Sequence, residues 1–139
     1  YDRLQSDNID VMVQKNNPLV GGNLLSYREM TERLLPYDVV VIPVSKGHTG
    51  LCGLTSFNDA IALGKSVIVS DTTHLGIDLE KEGIGFVYNA GDPDSLKEKM
   101  MMFVKNPSLI DCMGAAALAY ARNNDNRHFS ETVLNLMKS

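Results

Sequence analysis

The chain has 139 residues, a formal net charge of −4 and a hydrophobic content of 44%. This length fits one domain with a real hydrophobic core, and the composition is normal for a soluble globular protein. The acidic balance argues against nucleic-acid binding, because no basic stripe exists that would displace counterions from phosphates. The longest apolar stretches, such as residues 39–44, are far too short to cross a bilayer.

The ends and the cysteines suggest a cytoplasmic fragment. Cys52 and Cys112 have neither the spacing of a disulfide framework nor that of a metal site, which favours a reducing compartment. The chain begins with Tyr1 rather than Met, and its first residues read like the middle of a helix. We therefore expect a piece of a longer cytoplasmic protein.

The first part of the chain predicts two strands and a helix. Residues 9–13 alternate in polarity and predict a short strand, and turn residues follow over 14–25. Ser26 and Glu29 have capping-box spacing, which predicts a helix reaching about Leu35. The valine-rich run at 38–43 then predicts a strand buried on both faces of a parallel sheet.

Helices and strands alternate through the rest of the chain. Predicted helices cover about 55–63, 75–82, 93 to at least 104, 107–122 and 130–137, and predicted strands cover 67–70 and 85–88. Asp92 and Pro93 start the third of these helices, on which Leu96, Met100, Phe103 and Val104 share one face. Short loops between alternating strands and helices predict an α/β fold with a Rossmann-like parallel sheet flanked by helices.

The glycine-rich loop at 45–53 is the richest candidate for chemistry. It follows a strand and precedes a helix, where open parallel sheets bind ligands. Its glycines let backbone approach a bulky ligand, and the helix start offers N–H donors with positive dipole character. These features predict an anion site suited to a diphosphate. A plain tight connection is an equal alternative, because neither standard nucleotide-binding glycine motif is present.

The candidate substrate-binding residues surround the start of that helix: Lys46, Gly53, Leu54, Thr55, Ser56 and Asp59. Lys46 would neutralise phosphates, and a solvated loop lysine is its alternative role. Thr55 or Ser56 would donate a hydroxyl hydrogen, whereas Asp59 would accept hydrogen bonds from a ribose. Ser56 and Asp59 also fit an ordinary capping box. No residue is assigned a catalytic role.

The isolated histidines do not form a metal-binding pattern. His48 is a candidate sugar contact and His74 a candidate cleft residue, whereas His128 is predicted to precede the last helix. None has the partners that zinc needs. Since helix dipole and basic groups can replace a metal at a diphosphate, we predict a metal-independent site without a cofactor.

Three segments together resemble the signature of family-four glycosyltransferases, a group with the two-Rossmann-domain GT-B fold. They are YDVVVIPVS at 37–45, GLTSFNDAIALGKSVIVSD at 53–71 and GIGFVYNAGDPDSL at 83–96. The resemblance covers roughly residues 26–139. In that family two glutamates bracket the phosphate loop, and the second usually holds the donor ribose. Asp59 falls on the second position, but Leu51, which is not acidic, falls on the first.

The resemblance implies a function for the full protein. It would transfer a hexosyl group from a nucleoside-diphosphate sugar to a saccharide or lipid-linked acceptor, mostly with retention, as in polysaccharide biosynthesis. Residues 1–139 would be a partial C-terminal, nucleotide-sugar-binding domain, truncated at its N-terminus and inactive alone. Its partners would be the nucleotide sugar and a missing N-terminal acceptor domain, and the full enzyme is compatible with peripheral membrane association.

Other functional classes remain open. A non-catalytic Rossmann-like interaction module derived from a glycosyltransferase would explain Leu51 in place of an acidic residue. A nucleotide-sugar epimerase shares the fold, but its acidic and histidine catalytic groups find no positions here. A receiver domain would need an acidic cluster after the first strand, which the sequence does not provide.

Overall fold

The computed structural model describes residues 26–47 and 52–138. The chain divides into two compact units, Tyr1–Pro36 and Tyr37–Ser139. The predicted strand at 9–13 and the predicted loop at 14–25 lie outside the described residues.

The described part of the first unit is helix α1 (Tyr27–Leu34). Ser26 and Glu29 form the predicted capping box: the Ser26 hydroxyl accepts from the Glu29 N–H at 3.3 Å, and the Glu29 carboxylate accepts from the Ser26 N–H at 2.8 Å. The Glu29 carboxylate also accepts a hydrogen bond from the Ser26 side chain at 2.6 Å. Hydrogen bonds from the Ser26 side chain and then its backbone lower the pKa of Glu29. The predicted helix start is confirmed.

The second unit contains a parallel sheet of β1 (Val39–Ile42), β2 (Ser66–Ser70) and β3 (Gly85–Tyr88), in that order within the described residues. All of β2 is buried because it has a strand on each side. In β1 Ile42 is buried and the three valines are half-buried, with Val40 packed on one face of the sheet and Val39 and Val41 on the other, so β1 is covered on both faces but less completely than β2. The α/β fold with a Rossmann-like parallel sheet is confirmed.

Four helices accompany the sheet: α2 (Leu54–Ala62), α3 (Pro93–Lys105), α4 (Ser108–Asn123) and α5 (Asn126–Lys138). The helix α2 ends as predicted, with Gly64 in a left-handed conformation at φ 66°. The last helix begins at Asn126, four residues before the predicted start, so His128 lies within it rather than ahead of it. None of the described helices is long and apolar enough to cross a membrane.

Helices cover both faces of the sheet, because side chains alternate along each strand. On one face Val67 and Val69 pack with Phe57 and Ile61 of α2. On the other face Ile68 packs with Phe86, Tyr88 and Phe103, and the rings of Phe86 and Phe103 meet edge-on at 5.3 Å. Leu96 and Met100 of α3 join that second cluster, whereas Val104, one turn after Met100 near the end of the helix, is 46% exposed.

The helix predicted at 75–82 is absent from the structure, which has turns there instead. Gly76 takes a left-handed φ of 74°, and the Asp78 carboxylate accepts the N–H of Lys81 at 3.1 Å. A short side chain that bonds nearby backbone favours a turn over a helix. Gly83, at φ 66°, ends the segment at the predicted position.

Candidate functional site

The carboxyl ends of β1 and β2 lie side by side, because Ile42 pairs with Val69 in parallel register. Val44 lies between β1 and the glycine-rich loop at 45–53, and Asp71, Thr72 and Thr73 follow β2. Helix α2 begins after the loop, at Leu54. This edge of the sheet is where the sequence predicted an anion site.

Gly53 occupies the N-cap position immediately before helix α2, and its φ of 87° is left-handed. No side chain of the described residues caps this helix start. Its first helical backbone bond runs from the Phe57 N–H to the Gly53 carbonyl at 2.9 Å. The N–H groups of Leu54, Thr55 and Ser56 therefore have no acceptor within the helix. With no acidic residue in the first turn, the positive end of the helix dipole is not neutralised by its own sequence.

The ordinary capping-box interpretation of Ser56 and Asp59 is wrong. The helix begins at Leu54, two residues before Ser56, so Ser56 lies inside its first turn instead of ahead of it. This removes one of the structural alternatives for these two residues and leaves their predicted ligand contacts as a hypothesis.

Gly53 is required by space as well as by its backbone conformation. A Cβ added there would lie 2.8 Å from Cγ2 of Ile42, 3.3 Å from Cγ2 of Thr73 and 3.4 Å from Cγ2 of Val44. The end of the glycine-rich loop is thus pressed against the ends of β1 and β2. Residues 48–51, including His48 and Leu51, lie outside the described part of the chain.

Hydroxyl groups join the ends of β1 and β2. The Ser70 Oγ, fully buried, accepts the N–H of Val44 at 2.9 Å. The Thr72 hydroxyl donates to the Val44 carbonyl at 2.6 Å and lies 3.0 Å from the Ser70 Oγ. The Thr73 hydroxyl lies 3.1 Å from the same Ser70 atom. We call Ser70, Thr72 and Thr73 the hydroxyl cluster.

Ser70, Thr72 and Thr73 were not among the site residues predicted from the sequence. A signal was present, since three hydroxyl residues within four positions follow a buried strand at the edge where ligands bind. Their partner Val44 is 26 residues before Ser70, however, so local spacing could not indicate the contact. The intervening Asp71 points elsewhere, with Oδ1 accepting the N–H of Ala90 at 2.9 Å.

The predicted site residues differ in their exposure to solvent. Lys46, Thr55 and Ser56 are exposed. Leu54 is half-buried and packs against the core around Phe57, so it can offer a ligand only its backbone N–H. The structure therefore brings the helix-start donors together with two exposed hydroxyl side chains.

Asp59 is the least accessible of the predicted site residues, with 9% of its surface exposed. It lies three and four residues after Ser56 and Thr55, and hence on the same side of α2. A ribose could reach its carboxylate only along that side, because the opposite side of the helix packs on the core through Phe57 and Ile61.

The other candidates lie outside this arrangement. His74 is exposed just after the hydroxyl cluster, and His128 lies in α5, where its N–H bonds the Asp125 carboxylate at 2.8 Å. Cys52 and Cys112 are free thiols, half-buried and exposed respectively. Across the described ranges, no three His, Cys, Asp or Glu side chains gather as metal ligands would.

Among the depressions on the described surface, one follows α3 from Asp94 to Lys105 and another lies along α4 near Tyr120, and neither of these touches the start of α2. The candidate site is therefore defined by its hydrogen-bond donors and its place at the sheet edge, with part of its loop outside the described residues.

No protein-family model matches the chain, and comparison with curated proteins likewise finds no match. The likeness to family-four glycosyltransferases thus depends on the three sequence segments quoted above and on the positions that these segments take in the fold.

Proposed function

We propose that this chain is the nucleotide-sugar-binding part of a GT-B-type glycosyltransferase. The observation that carries the proposal is the start of α2, which begins at left-handed Gly53 without a cap from any described side chain, at the carboxyl edge of a parallel sheet. Helix starts of this kind bind phosphates through backbone N–H groups and the helix dipole. The ordered segments at 37–45, 53–71 and 83–96 supply the second line of support.

The proposed chemistry is stabilisation of the departing diphosphate. Negative charge grows on that group as the bond to the sugar breaks, and preorganised N–H donors stabilise such charge without reorientation. The backbone N–H groups of Leu54, Thr55 and Ser56 would hold the phosphate oxygens, and the Thr55 hydroxyl would add a donor. Lys46, exposed at the start of the loop, would add positive charge.

Asp59 would hold the ribose of the donor. Its carboxylate lies one turn beyond the proposed phosphate donors, on the side of α2 that carries Thr55 and Ser56. With 9% of the residue exposed, we expect a contact through one carboxylate oxygen rather than enclosure of the sugar by this side chain.

Transfer itself would require a longer protein. In this proposal residues 1–139 form a partial C-terminal domain, and an acceptor domain closes over the donor so that a saccharide or lipid-linked hydroxyl meets the anomeric carbon. The full enzyme would be a cytoplasmic, metal-independent hexosyltransferase, with peripheral membrane association where its acceptor is a lipid. The chain alone would bind the donor without catalysing transfer.

A nucleotide titration followed by amide chemical shifts tests this proposal. We expect UDP or GDP to shift the amides of residues 53–59 saturably, and we expect Asp59→Asn to weaken the effect. Asp94→Asn, the same chemical change at an exposed position in the first turn of α3, is the matched control and should leave affinity unchanged. Equal loss in both variants would remove Asp59 from the site.

A non-catalytic interaction module is the second candidate, and the small exposure of Asp59 favours it. Such a module would not need the first-turn amides of α2 for a ligand. If neither this chain nor its full-length parent shows nucleotide-induced shifts at millimolar concentration, the module interpretation replaces the transferase. Binding by the parent alone would instead show that residues outside this chain complete the donor site.

A further inference from the structure

We propose that the hydroxyl cluster, Ser70, Thr72 and Thr73, is a positioning device that holds both ends of the glycine-rich loop and thereby fixes the direction of the α2 amides. The inference rests on the proposed function for its ligand, because it assigns these residues a role in diphosphate binding. The claim that the hydroxyl cluster holds Val44 and Gly53 in place is separate and can be tested without any ligand.

The direction of each hydrogen bond follows by elimination. Thr72 donates its one hydroxyl hydrogen to the Val44 carbonyl, so at the 3.0 Å contact Ser70 must be the donor and Thr72 the acceptor. Ser70 has then used its hydrogen, so at the 3.1 Å contact Thr73 must donate to Ser70. The chain of donors runs from Thr73 through Ser70 and Thr72 to the carbonyl of Val44.

Ser70 thus uses its complete hydrogen-bonding capacity. Its oxygen accepts from the Val44 N–H and from Thr73, and its hydrogen goes to Thr72. Because Ser70 is fully buried and Val44 is 8% exposed, water cannot readily replace these partners. The cluster is therefore a closed network in which each hydroxyl depends on the next.

The first end of the loop is held at Val44. Both of its backbone groups are engaged, the N–H by Ser70 and the carbonyl by Thr72. Val44 is the last residue before the loop at 45–53, so its peptide groups set the direction in which the chain leaves β1. A residue bonded at both backbone groups has little freedom to rotate.

The second end is held at Gly53. The Thr73 methyl group faces Gly53, where it would lie 3.3 Å from an added Cβ, while the Thr73 hydroxyl bonds Ser70. One side chain thus connects the network to the residue that begins α2. Fixing Val44 and Gly53 keeps the first-turn N–H groups of α2 preorganised for a charged ligand.

Paired substitutions at Thr73 separate its two contacts. Thr73→Val keeps the branched shape and removes the hydrogen bond, whereas Thr73→Ser keeps the hydroxyl and removes the methyl group facing Gly53. Ser70→Ala removes the centre of the network. Thr31→Val, which removes a helix-surface hydroxyl bonded to the Tyr27 carbonyl in the first unit, is the chemically matched control.

Two measurements are made on each variant: amide hydrogen exchange, and the dissociation constant for UDP and GDP. We expect Ser70→Ala and Thr73→Val to speed exchange at Val44, whose N–H bonds Ser70, and Thr73→Ser to speed it at Phe57, whose N–H bonds the Gly53 carbonyl. Loss of one or more network bonds should weaken nucleotide binding by about tenfold, which is the size expected for a lost buried hydrogen bond. Thr31→Val should change neither quantity.

The outcomes distinguish this inference from the proposed function. If the unmodified chain binds nucleotide and folded Thr73→Val and Ser70→Ala variants bind equally well, the positioning role is wrong while the proposed function stands. If the unmodified chain and its full-length parent bind none, the proposed function fails. Hydrogen exchange at Val44 and Phe57 then decides the remaining claim, and rates equal to those of the unmodified chain would overturn it.

Discussion

Helices α2 and α3 both follow parallel strands, yet their first turns are built in opposite ways. At α3 the Asp92 carboxylate accepts the N–H groups of Asp94 and Ser95, and Pro93 removes a further donor. At α2 the corresponding position is Gly53, with no cap from the described side chains and no acidic residue in the first turn. The donors of α3 are used within the chain, whereas the first-turn donors of α2 have no side-chain cap among the described residues, as the proposed anion site requires.

This difference separates a helix start that serves stability from one that can serve binding. The Ser95 hydroxyl also accepts the N–H of Asn89 at 3.1 Å, which ties the start of α3 to the chain leaving β3. Near α2 the comparable hydrogen bonds join the hydroxyl cluster to the backbone of Val44. They leave the first-turn N–H groups of α2 uninvolved. Substitutions at the two helix starts should therefore have different effects on stability and on nucleotide binding.

The largest effect should come from Gly53→Ala. It places a side chain at φ 87° and within 2.8 Å of Ile42 Cγ2, so left-handed strain and overpacking should together destabilise the fold by about 3 kcal/mol. Gly47→Ala is the control, because Gly47 also has a left-handed φ, 94°, but an added Cβ meets no described atom within 4 Å. The control should cost about 1 kcal/mol from strain alone.

Urea denaturation of both glycine variants measures this difference. Equal midpoints for the two variants would show that Gly53 is not pressed against the strand ends. Close packing against the strand ends would then no longer explain why glycine occupies the N-cap position of α2.

Removing the cap of α3 should destabilise without affecting binding. Asp92→Ala leaves two backbone N–H groups without their carboxylate acceptor, and we expect a loss of about 1 kcal/mol in the free energy of unfolding. Nucleotide affinity should stay the same, as measured by calorimetry at a temperature where the variant is folded. Weaker binding by this variant would place the anion site at α3 and reverse the comparison.

Adding a carboxylate to the first turn of α2 should do the opposite. Thr55→Asp gains a favourable interaction with the helix dipole but meets Asp59 one turn later, so stability should change by less than about 0.5 kcal/mol. Nucleotide binding should be lost, because the new charge repels phosphate. Thr55→Asn keeps the size without the charge, and its affinity should fall much less. Equal affinities for Thr55→Asp and Thr55→Asn would contradict a phosphate site at this turn.

The smallest effect concerns α1, which is self-capped like α3. Its capping box lowers the pKa of Glu29 in the folded chain, so the stabilising contribution is present above the unfolded-state pKa. It is lost as the pH falls through the lowered folded-state pKa. Carboxyl chemical shifts of Glu29 should give a midpoint below the usual glutamate range. Ser26→Ala should raise that midpoint, and an unchanged midpoint would show that the box is not formed in solution.

The sequence predicted local features better than contacts between distant residues. Asp92-Pro93 and the Ser26–Glu29 spacing identified two helix starts because a cap is formed by residues three or fewer positions apart. The helix at 75–82 was wrong, since Asp78 bonds backbone locally and Gly76 takes a left-handed φ. Burial of β1 was overestimated because a run of valines does not indicate how many neighbours a strand will have.

The sequence predicted where the candidate site lies in the fold, but it did not predict the long-range contacts that form the site. Glycines between a strand and a helix predicted where an anion site would lie, and α2 begins at Leu54, one residue before the predicted start at about Thr55. The bonds that join Ser70 and Thr72 to Val44 connect residues 26 and 28 positions apart, which only the parallel pairing of β1 with β2 brings together. The low exposure of Asp59 likewise depends on packing beyond its own helix.

The most direct test compares the two helix starts within one experiment. Amide shifts of the unmodified chain would be recorded during titration with UDP and with GDP, and the first turns of α2 and α3 read from the same spectra. We predict saturable shifts at Leu54, Thr55 and Ser56, with Asp94 and Ser95 unchanged. Shifts of equal size at both helices, or no shifts at millimolar nucleotide in this chain and in any longer protein that contains it, would contradict the account.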